Sequence, residues 1–132
     1  MDNSDTVKSK ILVVDDNRSL TDALEKYFNH SGYESEGINS AHQLTQRLSG
    51  QAPISIILDI NLGDGDGIKL LPELKAVWPG VPVVMLTAMG YDDKLMEEAR
   101  RHGAQGFVSK SVPPQEMLAK VQGVLEHPEH HS

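Results

Sequence analysis

The chain has 132 residues, enough for one domain with a sizeable core and too few for a second of ordinary size. Hydrophobic residues make up 39% and charged residues 23%, a globular composition that excludes disordered and fibrous classes. With no cysteine, disulfides and thiolate metal sites are ruled out, and a net charge of −7 without a Lys/Arg cluster argues against binding a nucleic-acid backbone. Residues 1–10 are polar and charged, unlike a signal peptide, and no apolar run nears the roughly 20 residues of a membrane span. The expectation is a soluble, cytoplasmic protein with no membrane or nucleic-acid partner of its own.

Short apolar runs alternate with amphipathic segments. Ile11-Leu12-Val13-Val14 is continuous and largely β-branched, as in a strand buried on both faces, and Asp15-Asp16-Asn17 stops it. From residue 18 to about 29, Leu20, Ala23, Leu24, Tyr27 and Phe28 recur at helical spacing, and Gly32 ends that helix. A second strand over residues 33–38 has a thin apolar pattern. Ser40 can cap a helix reaching about residue 48, with Ala41, Leu44 and Leu48 on one face. Residues 54–58 form another apolar run, which ends in Asp59.

A glycine-rich turn over residues 63–67 leads into a helix carrying Ile68, Leu70, Leu71, Leu74 and Val77, closed by Pro79-Gly80. Residues 81–86 predict the fourth strand, with Thr87-Ala88 at its end. Asp92 or Asp93 can cap the next helix, which holds Leu95, Met96 and Ala99 and stops at Gly103. Residues 106–109 predict a fifth strand ending at Lys110. Pro113-Pro114 opens a last helix with an apolar stripe of Met117, Leu118, Val121, Val124 and Leu125. Such alternation implies right-handed βαβ units and a parallel sheet covered on both faces. The domain is expected over residues 10–126, with flexible ends at 1–9 and 127–132.

In open α/β sheets, ligands bind beyond the carboxyl ends of the strands. Asp15 and Asp16 follow strand one, Asp59 ends strand three, Thr87 ends strand four and Lys110 follows strand five, so all fall on one sheet edge. Three gathered carboxylates repel unless a cation joins them. With no histidine or cysteine among them the ligands are hard oxygens, which suits Mg²⁺. Add a lysine and a hydroxyl, and the set is complementary to a phosphoryl group, with aspartate itself a covalent acceptor. Small Ala88 would leave an approach path open.

Five motifs in order resemble the response-regulator receiver domain of two-component signalling, in the CheY-like superfamily, over about residues 10–125. They are Ile11-Leu12-Val13-Val14-Asp15-Asp16-Asn17, Leu58-Asp59-Ile60-Asn61-Leu62, Asp66-Gly67, Leu86-Thr87-Ala88 and Gly106-Phe107-Val108-Ser109-Lys110. The resemblance implies a flavodoxin-like (βα)5 three-layer sandwich whose five-stranded parallel sheet has the order 2-1-3-4-5. It implies Asp59 as phosphoacceptor, Asp16 as a direct Mg²⁺ ligand, Asp15 as a ligand through water and the Asn61 main-chain carbonyl as the last. Lys110 would pair with the phosphoryl group, and Thr87 would move toward it and let Phe107 swing inward.

The implied partners are a histidine kinase or histidine phosphotransfer protein as donor and a downstream output domain or protein. A homodimer through the helix after strand four, the fifth strand and the last helix is a further partner. Two positions depart from the pattern: Gly63 and Ser111 stand where the family often has proline. Gly63 should loosen its turn, and Ser111 removes the ordinary reason for a cis bond.

Taken singly, Asp15-Asp16 reads as a solvated helix-cap pair, Thr87 as a strand-end hydroxyl, Lys110 as a surface lysine and Phe107 as core. A shared edge favours the functional reading. Asp64-Gly65-Asp66-Gly67 imitates a calcium loop, yet its register puts Leu62 at the first ligand position, so calcium binding is not expected. His127, His130 and His131 are read as tail residues, and Met89 with Asn61 as flanking a water path to the acceptor. Two other functions compete. A Mg²⁺-dependent phosphatase would want a second carboxylate where Asn61 stands. A pseudo-receiver, binding without phosphate, would lack an acid, the lysine or the hydroxyl, and none is missing.

Overall fold

In a computed structural model of the chain, which describes residues 10–88 and 92–126, the five expected strands form and run parallel. These are β1 (Lys10–Val14), β2 (Glu34–Ile38), β3 (Ser55–Asp59), β4 (Val83–Thr87) and β5 (Gly106–Ser109), in the order β2-β1-β3-β4-β5. Helices α1 (Arg18–His30), α2 (Ala41–Arg47), α3 (Gly67–Val77), α4 (Asp93–Arg101) and α5 (Pro114–Glu126) connect and follow them. The expected flavodoxin-like sandwich and strand order are therefore what the chain adopts. Met89, the three tail histidines and both proposed flexible ends lie outside the described residues. No described helix is long and apolar enough to cross a membrane.

Alternate residues of each strand serve opposite cores, which is why the runs read as continuous rather than alternating. Leu12, Val14, Ile56, Leu58, Val83 and Met85 pack with Leu44, Ile68, Leu71, Leu74 and Ala99 from α2, α3 and α4. Ile11, Val13, Ile57, Val84, Leu86 and Val108 pack with Leu24, Phe28, Met117, Leu118, Val121 and Val124 from α1 and α5. Edge strand β2 buries only Ile38, and this explains its thin apolar pattern.

Some helical positions differ from the sequence reading. On α1 the buried face is Thr21, Leu24 and Phe28, while Ala23 is exposed. Thr21 tolerates burial because its Oγ1 donates to Arg18 O (3.1 Å) and accepts from Asn39 Nδ2 (3.0 Å). Val77 is exposed because its helix ends there, with Trp78 turning into the core instead. Leu95 is 37% exposed, since α4 buries only Ala99 fully. There are no cis peptides among the described residues, as the serine at 111 implied.

The caps follow local chemistry. Asn17, Ser40, Asp66 and Asp92 each accept a backbone N–H from the first turn of the helix they precede. Of the two candidates for α4, Asp92 is the cap. Asp59 and Thr87 are themselves the last strand residues, paired in register with Leu86 and Ser109.

Candidate functional site

The ends of β1, β3, β4 and β5 deliver polar side chains to the same edge. Asp15 follows β1 and is fully buried; its N–H donates to Ile38 O (2.9 Å), and its Oδ1 accepts from Asn17 N (2.8 Å). Asp16, next along, is exposed. Asp59 is 3% exposed, and its Oδ1 accepts from Asn61 N (3.2 Å). Lys110 is drawn in by its own backbone, whose N–H donates to Thr87 O (2.8 Å). Its Nζ then donates to Asp59 Oδ2 (2.9 Å).

Oxygens of Asp15, Asp16 and Asp59 lie within 4.8 Å of one another, the one group of this kind among the described residues. Lys110 Nζ also stands 3.1 Å from Asp15 Oδ2, close enough for charge attraction. Among the described residues no other donor reaches this buried oxygen. Three negative charges thus face one ammonium, which the two buried carboxylates share. Such a donor set fits a hard divalent cation, which would supply the missing positive charge.

Burial pushes the Asp59 carboxyl above its usual 3.8; the Lys110 hydrogen bond opposes this, and the nearby Asp15 charge adds to it. Burial alone would lower the Lys110 ammonium, but hydrogen bonding and charge from Asp59 and Asp15 outweigh it and hold Lys110 above 10.5. Because folding raises the Asp59 pKa, the folded state holds its proton longer than the unfolded chain. Its contribution is therefore most favourable below 3.8 and is lost as pH rises through the raised value. Asp59→Asn is expected to raise the stability of the metal-free protein at neutral pH by about 1 kcal/mol. The gain should fade toward acid pH. Equal melting temperatures at neutral pH would contradict this electrostatic account.

A cleft of about 350 Å³ opens over Asp59 and Lys110. Asp16, Asn61, Thr87 and Ala88 line it as well, so six of the eight residues singled out from the sequence share its wall. Asp15 lies beneath it. Phe107 stands apart: half-buried on β5, its ring lies 5.2 Å under the Arg100 guanidinium. Thr87 Oγ1 donates to Val108 O (3.3 Å), so its hydroxyl is engaged by β5 rather than by a carboxylate.

The far wall of the cleft, Asp92, Leu95 and Met96, was not anticipated. In the sequence those apolar residues carry the same signal as any helix face. Asp64, in the turn that imitates a calcium loop, is engaged by the start of α2. Both Asp64 oxygens accept backbone N–H bonds, from Ala41 (2.8 Å) and His42 (3.1 Å).

Residues 11–122 match the response regulator receiver domain family. The chain belongs to that family. Among curated relatives of this receiver domain, the response regulator protein FleR of Pseudomonas aeruginosa is 33% identical over 119 residues, covering 90% of this chain and 24% of FleR. The transcriptional regulatory protein CssR of Bacillus subtilis is 31% identical over 117 residues, covering 88% of this chain and 51% of CssR. The receiver domain thus spans about half of one relative and a quarter of the other. A CheY-like receiver domain protein from Methanospirillum hungatei JF-1 superposes with a TM-score of 0.84 at 25% identity, covering 92% of this chain and 97% of that one. As a receiver domain, the chain is a phosphorylation-activated switch of two-component signalling.

Proposed function

We propose that Asp59 is the phosphoacceptor of this receiver, taking its phosphoryl group from a phosphohistidine on a histidine kinase or histidine phosphotransfer protein. One observation carries the assignment. Of the two buried carboxylates, Asp59 lines the cleft and holds the Lys110 ammonium at 2.9 Å, whereas Asp15 lies beneath it. An Asp59 carboxylate oxygen attacks phosphorus, the P–N bond breaks, and the imidazole nitrogen keeps the bonding pair. Lys110 then pairs with a phosphoryl oxygen in place of the carboxylate.

Asp16 and Asp59 would hold Mg²⁺ directly, Asp15 through water, and the Asn61 carbonyl would complete the protein's share. Bound there, the ion offsets the negative charge of the carboxylates and of the phosphoryl oxygens. Thr87 gives up Val108 O and turns toward the phosphoryl group, and Phe107 swings inward on the face of the fourth and fifth elements. The face of α4, β5 and α5 then meets an output domain or protein, or a second copy of the chain, in the cytoplasm. Asn61 offers no second carboxylate for external turnover, which disfavours a phosphatase. A pseudo-receiver is disfavoured because both buried acids, Lys110 and Thr87 are all in place.

The test is intact mass after incubation with an acyl phosphate, with and without Mg²⁺. Wild type should gain one phosphoryl group only with Mg²⁺, and Asp59→Asn none. A folded, Mg²⁺-binding wild type that gains nothing would move the protein to the pseudo-receiver reading.

A further inference from the structure

Two loops of the acid site lean on a common neighbour, the start of α2. On one side Asn39, two residues before α2, donates its Nδ2 to the main-chain oxygen of Asp15 (2.8 Å) and to Thr21 Oγ1 (3.0 Å). Its own N–H donates to Gln43 Oε1 (2.8 Å), so Asn39 is fastened to the helix it introduces. On the other side Asp64, in the loop between β3 and α3, takes the N–H groups of Ala41 and His42 with its two oxygens (2.8 and 3.1 Å). Those amide bonds hold the Asp64 carboxyl below its usual 3.8.

The loop carrying Asp64 is the one that carries Asn61. Asn61 Oδ1 accepts from Gly63 N (3.0 Å), and Leu62 N donates to Gly65 O (2.9 Å). Gly65 lies so close to α2 that a methyl there would stand 2.7 Å from Ala41 Cβ, and one on Gly63 would stand 3.4 Å from Asp16 Oδ2. Gly63 has φ +82°, a left-handed conformation that leaves this turn without proline's stiffness. Asp64 is the residue of this loop that bonds to another element through both side-chain oxygens.

We propose that Asp64, with Asn39, is a positioning residue of the metal site: the two brace the start of α2 between the Asp15 loop and the Asn61 loop. The brace sets the spacing between Asp15 and the Asn61 carbonyl, and it rests on the Mg²⁺ reading given above. Partners that orient metal ligands typically change affinity by about 10–100-fold when removed. Asp64 neither lines the cleft nor belongs to the group of three carboxylates, so it acts through the loop.

Mg²⁺ titration by calorimetry on wild type, Asp64→Ala, Asp64→Asn and Asn39→Ala tests this, with amide exchange followed at Ala41, His42 and Gly63. Asp64→Ala should bind Mg²⁺ about 10-fold more weakly, with faster exchange at those amides and the global melt retained. Asp64→Asn, which keeps one acceptor oxygen, should recover part of the affinity. Wild-type affinity in Asp64→Ala overturns the brace alone. A wild type that takes up no Mg²⁺ overturns the metal-site reading and the brace with it.

Discussion

Gly67→Ala is expected to cost about 3 kcal/mol of folding stability and to abolish tight Mg²⁺ binding. Gly67 opens α3, and its N–H donates to Ile60 O (2.6 Å), pulling the helix start against the end of β3. A methyl at this position would overlap the Asp59 carbonyl oxygen, far inside van der Waals contact distance. It would also stand 3.1 Å from Asp59 C and 3.2 Å from Ile60 Cα. All three are backbone atoms, so no rotamer change relieves the overlap. Either α3 lifts, disturbing buried Ile68, Leu71 and Leu74, or the end of β3 moves and carries Asp59 with it. Urea unfolding reads the cost as a lower midpoint at unchanged slope. Gly80→Ala is the matched control, since its methyl would meet nothing within 4 Å. A loss below about 1 kcal/mol for Gly67→Ala would show that the turn yields, and that Asp59 is not held by this contact.

Lys110→Ala has the second large effect, and its direction depends on metal and pH. Removing the ammonium leaves Asp15, Asp16 and Asp59 within 4.8 Å of one another with no other cation paired to them among the described residues. Breaking a fully buried pair from one side costs about 3–5 kcal/mol. The Lys110 side chain is 32% exposed, so water screens part of this and about 2 kcal/mol is expected at neutral pH without metal. In the wild type, Lys110 keeps its stabilising charge until pH rises beyond 10.5, so it adds no slope near neutrality.

In the variant the Asp59 carboxyl, already above 3.8, loses the partner that opposed its rise. The folded state then binds still more protons than the unfolded chain, so stability falls more steeply as pH increases from the acid side. The deficit should shrink at acid pH, where Asp59 protonates, and shrink again when Mg²⁺ is added, giving the variant a larger metal-induced rise in melting temperature than the wild type. A deficit independent of both pH and Mg²⁺ would mean that Lys110 acts through packing rather than charge.

Much of this was legible in one dimension because the signals are local. Ile11 to Val14 and Ile56 to Leu58 are buried on both sheet faces, so their runs are continuous and announce a parallel sheet directly. Asp15, Asp59 and Thr87 interrupt or end such runs, and the carboxyl edge of a parallel sheet collects strand ends whatever the loops between them do. Asn17, Ser40 and Asp92 cap helices through atoms two or three residues away, which sequence order already places within reach.

Depth, pairing and the direction of a side chain are not local, and those were settled by the packed chain. Helical spacing put Leu95 with Ala99, yet burial requires a neighbour, and α4 offers Leu95 to the cleft instead. The approach of Lys110 to Asp59 spans 51 residues and depends on β4 lying between β3 and β5. Asp64 resembles a calcium ligand by its spacing from other acids, but α2 occupies both its oxygens. Periodicity states which face a residue is on; what waits across that face is decided by elements far away in the chain, because contact energies fall off within a few ångströms and close only when those elements meet.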